Sequence, residues 1–301
     1  MINSLDPATL NFLTGMQQIQ SRSERAQREL TTGLRINSIS DDPGKVPLLM
    51  ETRAQLASAK QITDNLGSIK TETDTAESAL EAASKLMDQA QTLATQGQSG
   101  LLSAQDRNAI ANQLGGILQQ LVGISATTVD GRHIFSGDND QQAPYTIDLT
   151  QTNPISIYAG AAGTRQAQHP DGSLFNVART AQDIFDSPNA QQNVFTSINN
   201  LRVGLLNNDQ AAIDAALPDV RTAGTYLNGQ LSFYGTVQNH VQDGLDFGAT
   251  LQTQLQTQLS GIQDADLTQS IVDLNQAKID QQAALTSEAQ LPRTSLFNYL
   301  A

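Results

Sequence analysis

The sequence predicts a mainly α protein, with long antiparallel helical rods, coiled-coil termini and a small β-rich insertion domain. Three observations carry this reading. Proline is absent between Pro47 and Pro144, and again between Pro218 and Pro292. Within the first gap, Leu49, Leu56, Thr63, Leu66, Ile69, Thr73, Ala76, Leu80, Ala83, Met87, Ala90 and Ala94 recur mostly at alternating three- and four-residue steps, the period of a helix wound against other helices. Six of the chain's aromatic residues and four of its nine prolines lie between 131 and 200, whereas Phe12 is the only aromatic before that stretch.

The first helix is expected from Asp6-Pro7, a cap and first turn, to Thr32. Its seam of Leu10, Leu13, Gln17, Gln20, Glu24, Gln27 and Leu30, supplemented by Met16, Ile19 and Ala26, is thin and polar. Such a helix depends on tertiary packing, because propensity alone supplies little stability. Gly33 can adopt the left-handed conformation that closes it. Asp41 or Asp42 is then expected to cap the next helix, with Pro43 in its first turn. That helix, from Lys45 to Gln98, would be ~80 Å long at 1.5 Å per residue. Ser103 caps a further helix with Ile110, Leu114, Ile117, Leu118, Leu121 and Ile124 on one face, and the short connection predicts antiparallel packing.

From Asp130-Gly131 the character changes, and His133–Phe135, Tyr145–Ile147 and Ile155–Tyr158 read as strands between turn residues. Helix returns over about 191–206. Asn207-Asn208-Asp209 is a break and cap, and a second rod is expected over 209–262 with Leu227, Leu231, Tyr234, Val241, Leu245, Leu255 and Ile262 in its seam. After an interruption near 261–266, Leu267, Ile271, Leu274, Lys278, Gln281, Leu285 and Glu288 begin a last helix as thin as the first. The expected division is a coiled-coil arm and bend (1–44), a rod half (45–130), the insertion (131–190), the second rod half (191–262) and a C-terminal arm (263–301).

Composition narrows the function. The 301 residues carry 30 acidic and 17 basic side chains, a net charge of -13, without a basic patch for nucleic acid or an anionic membrane. Apolar runs are far shorter than a membrane span. Cysteine is absent, so disulfides and thiolate metal sites are excluded. The start Met1-Ile2-Asn3-Ser4 lacks the basic and apolar stretches of a cleaved secretory signal, which leaves a cytoplasmic protein or export that reads an uncleaved N-terminus.

No catalytic, cofactor or metal constellation emerges. His133, His169 and His240 are dispersed. Asp138-Asn139-Asp140 superficially matches a calcium loop, but its sixth position is Ala143 instead of Gly and its twelfth is Leu149 instead of Glu. Gly160-Ala161-Ala162-Gly163 lacks a phosphate loop's glycine spacing and reads as a turn. In the bend, Arg35 can fork onto carboxylates or helix-end carbonyls and Asn37 can cap backbone groups. The bland alternative for both is a solvated loop.

Leu30-Thr31-Thr32-Gly33-Leu34-Arg35-Ile36-Asn37-Ser38, followed by Asp41-Asp42, resembles the Leu-Ser-Ser-Gly-x-Arg-Ile-Asn-Ser landmark of the bacterial flagellin superfamily. Thr75–Leu80, Asp106–Ile110 and Asp264-Ala265-Asp266-Leu267 resemble further segments of its two arms, in order. Pro43 after the paired aspartates, Gly131-Arg132-His133-Ile134-Phe135-Ser136-Gly137 and the ending Ser295–Leu300 are more similar to the superfamily's hook–filament junction branch than to flagellin proper. The N-terminus departs from that branch's Arg-Ile/Val-Ser-Thr opening.

The resemblance implies a non-enzymatic structural subunit, secreted unfolded to the extracellular flagellum. Its implied partners are other copies of itself, neighbouring hook-associated and flagellin subunits, and an export chaperone. Leu10, Leu13, Ile271 and Leu274 are then expected in a coiled coil between subunits. Gly33, Arg35, Ile36, Asn37, Asp41 and Asp42 in the bend, with Leu296 and Phe297 at the end, are the other expected assembly residues. The readings to be separated are a junction subunit, a flagellin, and a cytoplasmic coiled-coil binding module.

Overall fold

A computed structural model of the chain describes residues 7–290. Their order is α1 (Pro7–Thr32), α2 (Val46–Gly97), α3 (Ala104–Ser125), β1 (Thr128–Val129), β2 (Arg132–His133), β3 (Gln166–Gln168), β4 (Leu174–Asn176), α4 (Ala181–Phe185), α5 (Val194–Leu206), α6 (Gln210–Gln263) and α7 (Leu267–Gln290). They fold as two units, one of residues 7–58 and 252–290 and one of 59–251, so α2 and α6 each contribute to both.

In the larger unit the α2 seam is buried where period 3.5 places it, with Ala76, Leu80, Ala83, Met87, Ala90 and Ala94 all inside. Their partners on α6 include Ile213, Val220, Ala223, Leu227 and Tyr234. Gln238 donates from Nε2 to Asp74 (3.0 Å) and Glu77 (2.7 Å), and Ser84 Oγ donates to Asn228 Oδ1 at 2.7 Å. Numbering rises on one helix as it falls on the other, so the two run antiparallel here. Helix α3 begins with a capping box in which Ser103 and Asp106 satisfy each other's backbone N–H groups, and it packs on α5. Leu114, Leu118 and Leu121 complete the core, each buried leucine stabilising by roughly 1.5–3 kcal/mol. Asp209 caps α6 through the Ala211 and Ala212 N–H groups. Pro218 sits inside α6 without ending it, although its ring nitrogen cannot donate to the preceding turn.

The strands differ from those expected. Asp130 (φ 52°) and Gly131 (φ 76°) form the two-residue loop of a hairpin between β1 and β2, a turn that Asp-Gly favours because both positions need positive φ. Of His133–Phe135 only His133 is in a strand. Ile134 and Phe135 instead plug the core, with Phe135 edge-on to Tyr234 at 6.3 Å. Tyr145–Ile147 and Ile155–Tyr158 meet in a single bridge, Ile147 to Ile155, flanked by bonds such as Ser156 N–H to Thr146 O. The regular pair is β3 with β4, in register Ala167 to Phe175, in a stretch whose Gln-rich sequence carries no clear strand alternation. Helix α5 starts at Val194, after a 3-10 turn over Ala190–Gln192, because Asn193 rather than an earlier residue caps it.

In the smaller unit α1 and α7 pair antiparallel. Glu29 accepts from Ser270 Oγ at 2.7 Å, and Arg22 meets Asp280 at 3.3 Å. Ala26, Ser270 and Ala277 are buried, so the contact is made with small residues. This offsets the expected seams. The supplementary line of Met16, Ile19 and Ala26 is covered to varying degrees, while Leu10, Leu13, Leu267 and Ile271 face outward.

Candidate functional site

The bend after α1 is closed entirely by the chain's own groups. Gly33 (φ 72°) ends α1 with its N–H on the Glu29 carbonyl (2.8 Å), as the left-handed position requires. Its own carbonyl then accepts from Ala265 N–H at 2.9 Å, just beyond α6. The Arg35 and Ile36 N–H groups both donate to Gln263 O, at 2.7 and 3.3 Å. Arg35 adds a charge-assisted bond from Nη2 to Ile262 O at 2.6 Å and a longer one to Asp42 at 3.4 Å. A cation at the carbonyl end of a helix is favoured by the helix dipole. Arg53 donates to the Gln263 side chain at 2.5 Å, so two guanidiniums converge on the last turn of α6.

Asn37 Nδ2 donates to Leu34 O at 2.7 Å. Asp41 accepts from the Asn37 N–H (2.9 Å) and the Ser38 N–H (2.7 Å). The Ser38 N–H foremost, with the Asn37 N–H and the Ser38 hydroxyl, holds the Asp41 carboxyl below the usual carboxylate range. These bonds correct the expected role of the paired aspartates. Asp41 turns back to the bend instead of capping α2, and Asp42 contributes its backbone carbonyl, which accepts from Lys45 and Val46 N–H. Helix α2 begins three residues after Pro43, and Pro47 holds the first-turn position instead.

Ile36 is 3% exposed and packs with Leu49 and Ile262 in a small cluster flanked by Val46 and Leu259. It is therefore the core of the joint and offers no surface to a neighbour. Arg35 is partly covered and tied to the end of α6, whereas Asn37 is exposed and bonded within its own turn. Beside the joint a cleft of about 340 Å³ is lined by Arg22, Arg25, Arg35, Glu29, Asp41, Asp42 and Asp273. Its carboxylates outnumber its guanidiniums, so it does not suit a small anion.

The other expected assembly residues lie on the helix pair. Leu10 is 48%, Leu13 45% and Ile271 51% exposed, whereas Leu274 is half-buried. Val272, Ile279 and Leu285, also exposed, extend the outward apolar surface of α7. Leu296 and Phe297 lie outside the described residues. No group of three metal-ligating side chains occurs among the described residues, and none of their helices is long and apolar enough to cross a membrane.

Residues 2–140 match the bacterial flagellin N-terminal helical region, and residues 207–300 match the bacterial flagellin C-terminal helical region. The flagellar hook-associated protein 3 of Salmonella typhimurium is 25% identical over 314 aligned residues, spanning 95% of each chain. A flagellin of Halalkalibacterium halodurans is 24% identical over 90% of this chain and 88% of its own. In fold, the chain is similar to the flagellar hook associated protein-3 of Legionella pneumophila, with a TM-score of 0.63 and 12% identity over 71% of this chain and 98% of that one. With both helical regions matched over more than half its length, the chain belongs to the bacterial flagellin family.

Proposed function

We propose that this structural protein of the bacterial flagellum occupies the junction between hook and filament, where it polymerises through α1 and α7 after export in an unfolded state. The observation that carries the assembly half is the helix pair itself. Its internal contact uses Ala26, Ser270 and Ala277, and its larger side chains, Leu10, Leu13, Leu267 and Ile271, are left about half exposed. Burying the exposed half of one such side chain against a neighbouring copy gains about 1 kcal/mol. Head-to-tail contacts of this kind build a helical lattice instead of a closed dimer. The partners are other copies and, at either side, hook-associated and flagellin subunits, with a chaperone holding the chain before export.

End-to-end similarity to a hook-associated protein 3 supports the junction position. The comparable match to a flagellin keeps filament subunit as the second reading. Deleting the gene separates them. Loss of a junction subunit leaves hooks without filaments while flagellin monomers accumulate in the medium, and plasmid-borne expression restores filaments. A mutant with normal filaments, or one that releases no flagellin because this chain was the flagellin, would refute the junction role.

A further inference from the structure

We propose that the β3–β4 hairpin is a strap that clamps α2 to α6 in the larger unit, at a place where their own apolar residues are only partly covered. Leu66, Val237 and Val241 of the helices form an apolar cluster separate from the main core, and the remaining fully buried members, Ala167 and Val177, come from the hairpin segment. Ile62 and Ile69 of α2 and Phe233 and Leu245 of α6 pack against it only partly buried, and beside them α2 offers Ala59, Thr63 and Thr73, which are small or polar. The hairpin segment therefore adds Ala167, Phe175 and Val177 as apolar cover over helix residues that the seam alone leaves partly exposed.

Its seat is reserved in α6. A Cβ at Gly244 would come within 3.0 Å of the His169 ring and 2.9 Å of Leu66, and one at Gly248 would lie 3.5 Å from Pro170 and 2.6 Å from Thr63. Gly235, on the same helix, has open space around it. Glycine in a helix interior is unfavourable relative to alanine, so Gly244 holds it for the close approach of His169 and Leu66, while Gly248 is crowded by Thr63 of α2 and meets Pro170 at ordinary contact distance. The His169 ring lies 5.5 Å from that of Phe247, and Phe175 lies 5.6 Å from His240. On the opposite side Arg165 forks onto Glu72 of α2, at 3.1 and 2.7 Å, and Arg132 joins the same carboxylate at 3.2 Å. One hairpin thus grips α6 at Gly244 and through aromatic rings, and α2 through a shared carboxylate.

Hydrogen exchange of the full chain tests the strap from both grips. Gly244→Ala and Glu72→Gln are each expected to speed amide exchange about tenfold in the hairpin, in 62–69 of α2 and in 237–245 of α6, as local opening of one cooperative segment does. Exchange in 80–94 and 114–122 stays at parent values, and Gly235→Ala leaves all of these segments as they were. Parent-like protection of the hairpin in both variants would overturn the proposal. So would an even loss of protection across the whole unit, which would mark general destabilisation instead of a released strap.

Discussion

At the joint after α1, the Arg35 guanidinium holds the Ile262 carbonyl at the end of α6 while its backbone N–H holds Gln263. Charge-assisted bonds of this kind contribute about 1.5–3 kcal/mol, so Arg35→Ala should raise amide exchange at 34–37 and 263–265 by that order. Bulk helicity by circular dichroism should stay at the parent value, and filament assembly should fall. Unchanged exchange at 34–37 would remove Arg35 from the joint. Asp41 gives a pH signature. Its pKa is lowered in the folded chain, so its contribution is complete above the ordinary carboxylate range near ~4 and is lost as pH falls through the lowered value. Asp41→Asn should abolish the acid-induced rise in exchange at Asn37 and Ser38. That Arg35 and Asn37 could bond helix-end carbonyls and backbone groups was legible from their chemistry. Their partners were not, because Ile262 and Leu34 are fixed by the return of a segment more than two hundred residues away and by the turn itself.

At the scale of elements, burial separates two kinds of leucine. Leu80 is fully buried against α6, and Leu80→Ala should cost about 2–5 kcal/mol, read as a shift in the denaturation midpoint. Leu10→Ala and Leu13→Ala, at side chains about half exposed, should leave that midpoint nearly unchanged and weaken polymerisation. Equal destabilisation by both classes would place Leu10 inside the monomer's own core. Proline-free gaps and seam spacing revealed α2 and α6 because long periodic patterns average out single polar interruptions. The same counting picks out the large residues of α1 and α7, whereas the contact inside the pair closes on alanine and serine, which seam spacing does not single out. The insertion was harder still. Its segments are held by side chains such as Phe135 and Arg165, and its one decisive local signal, Asp130-Gly131, marks a hairpin of only two residues per strand.

At the scale of the whole molecule, the proposed assembly through α1 and α7 makes the terminal helices secure only in the polymer. Ordering a residue costs about 1–2 kcal/mol, and the α1–α7 contact has few large apolar side chains to offset it. Limited proteolysis of the monomer should therefore trim both ends to a fragment of about residues 45–262, and polymerised protein should resist; termini equally resistant in the monomer would contradict this. Family membership follows from both helical regions. The most direct measurement is immunogold electron microscopy of intact flagella with an antibody against residues 131–190. A junction subunit gives one band where hook meets filament. Gold along the full filament would contradict that role and make the protein a flagellin.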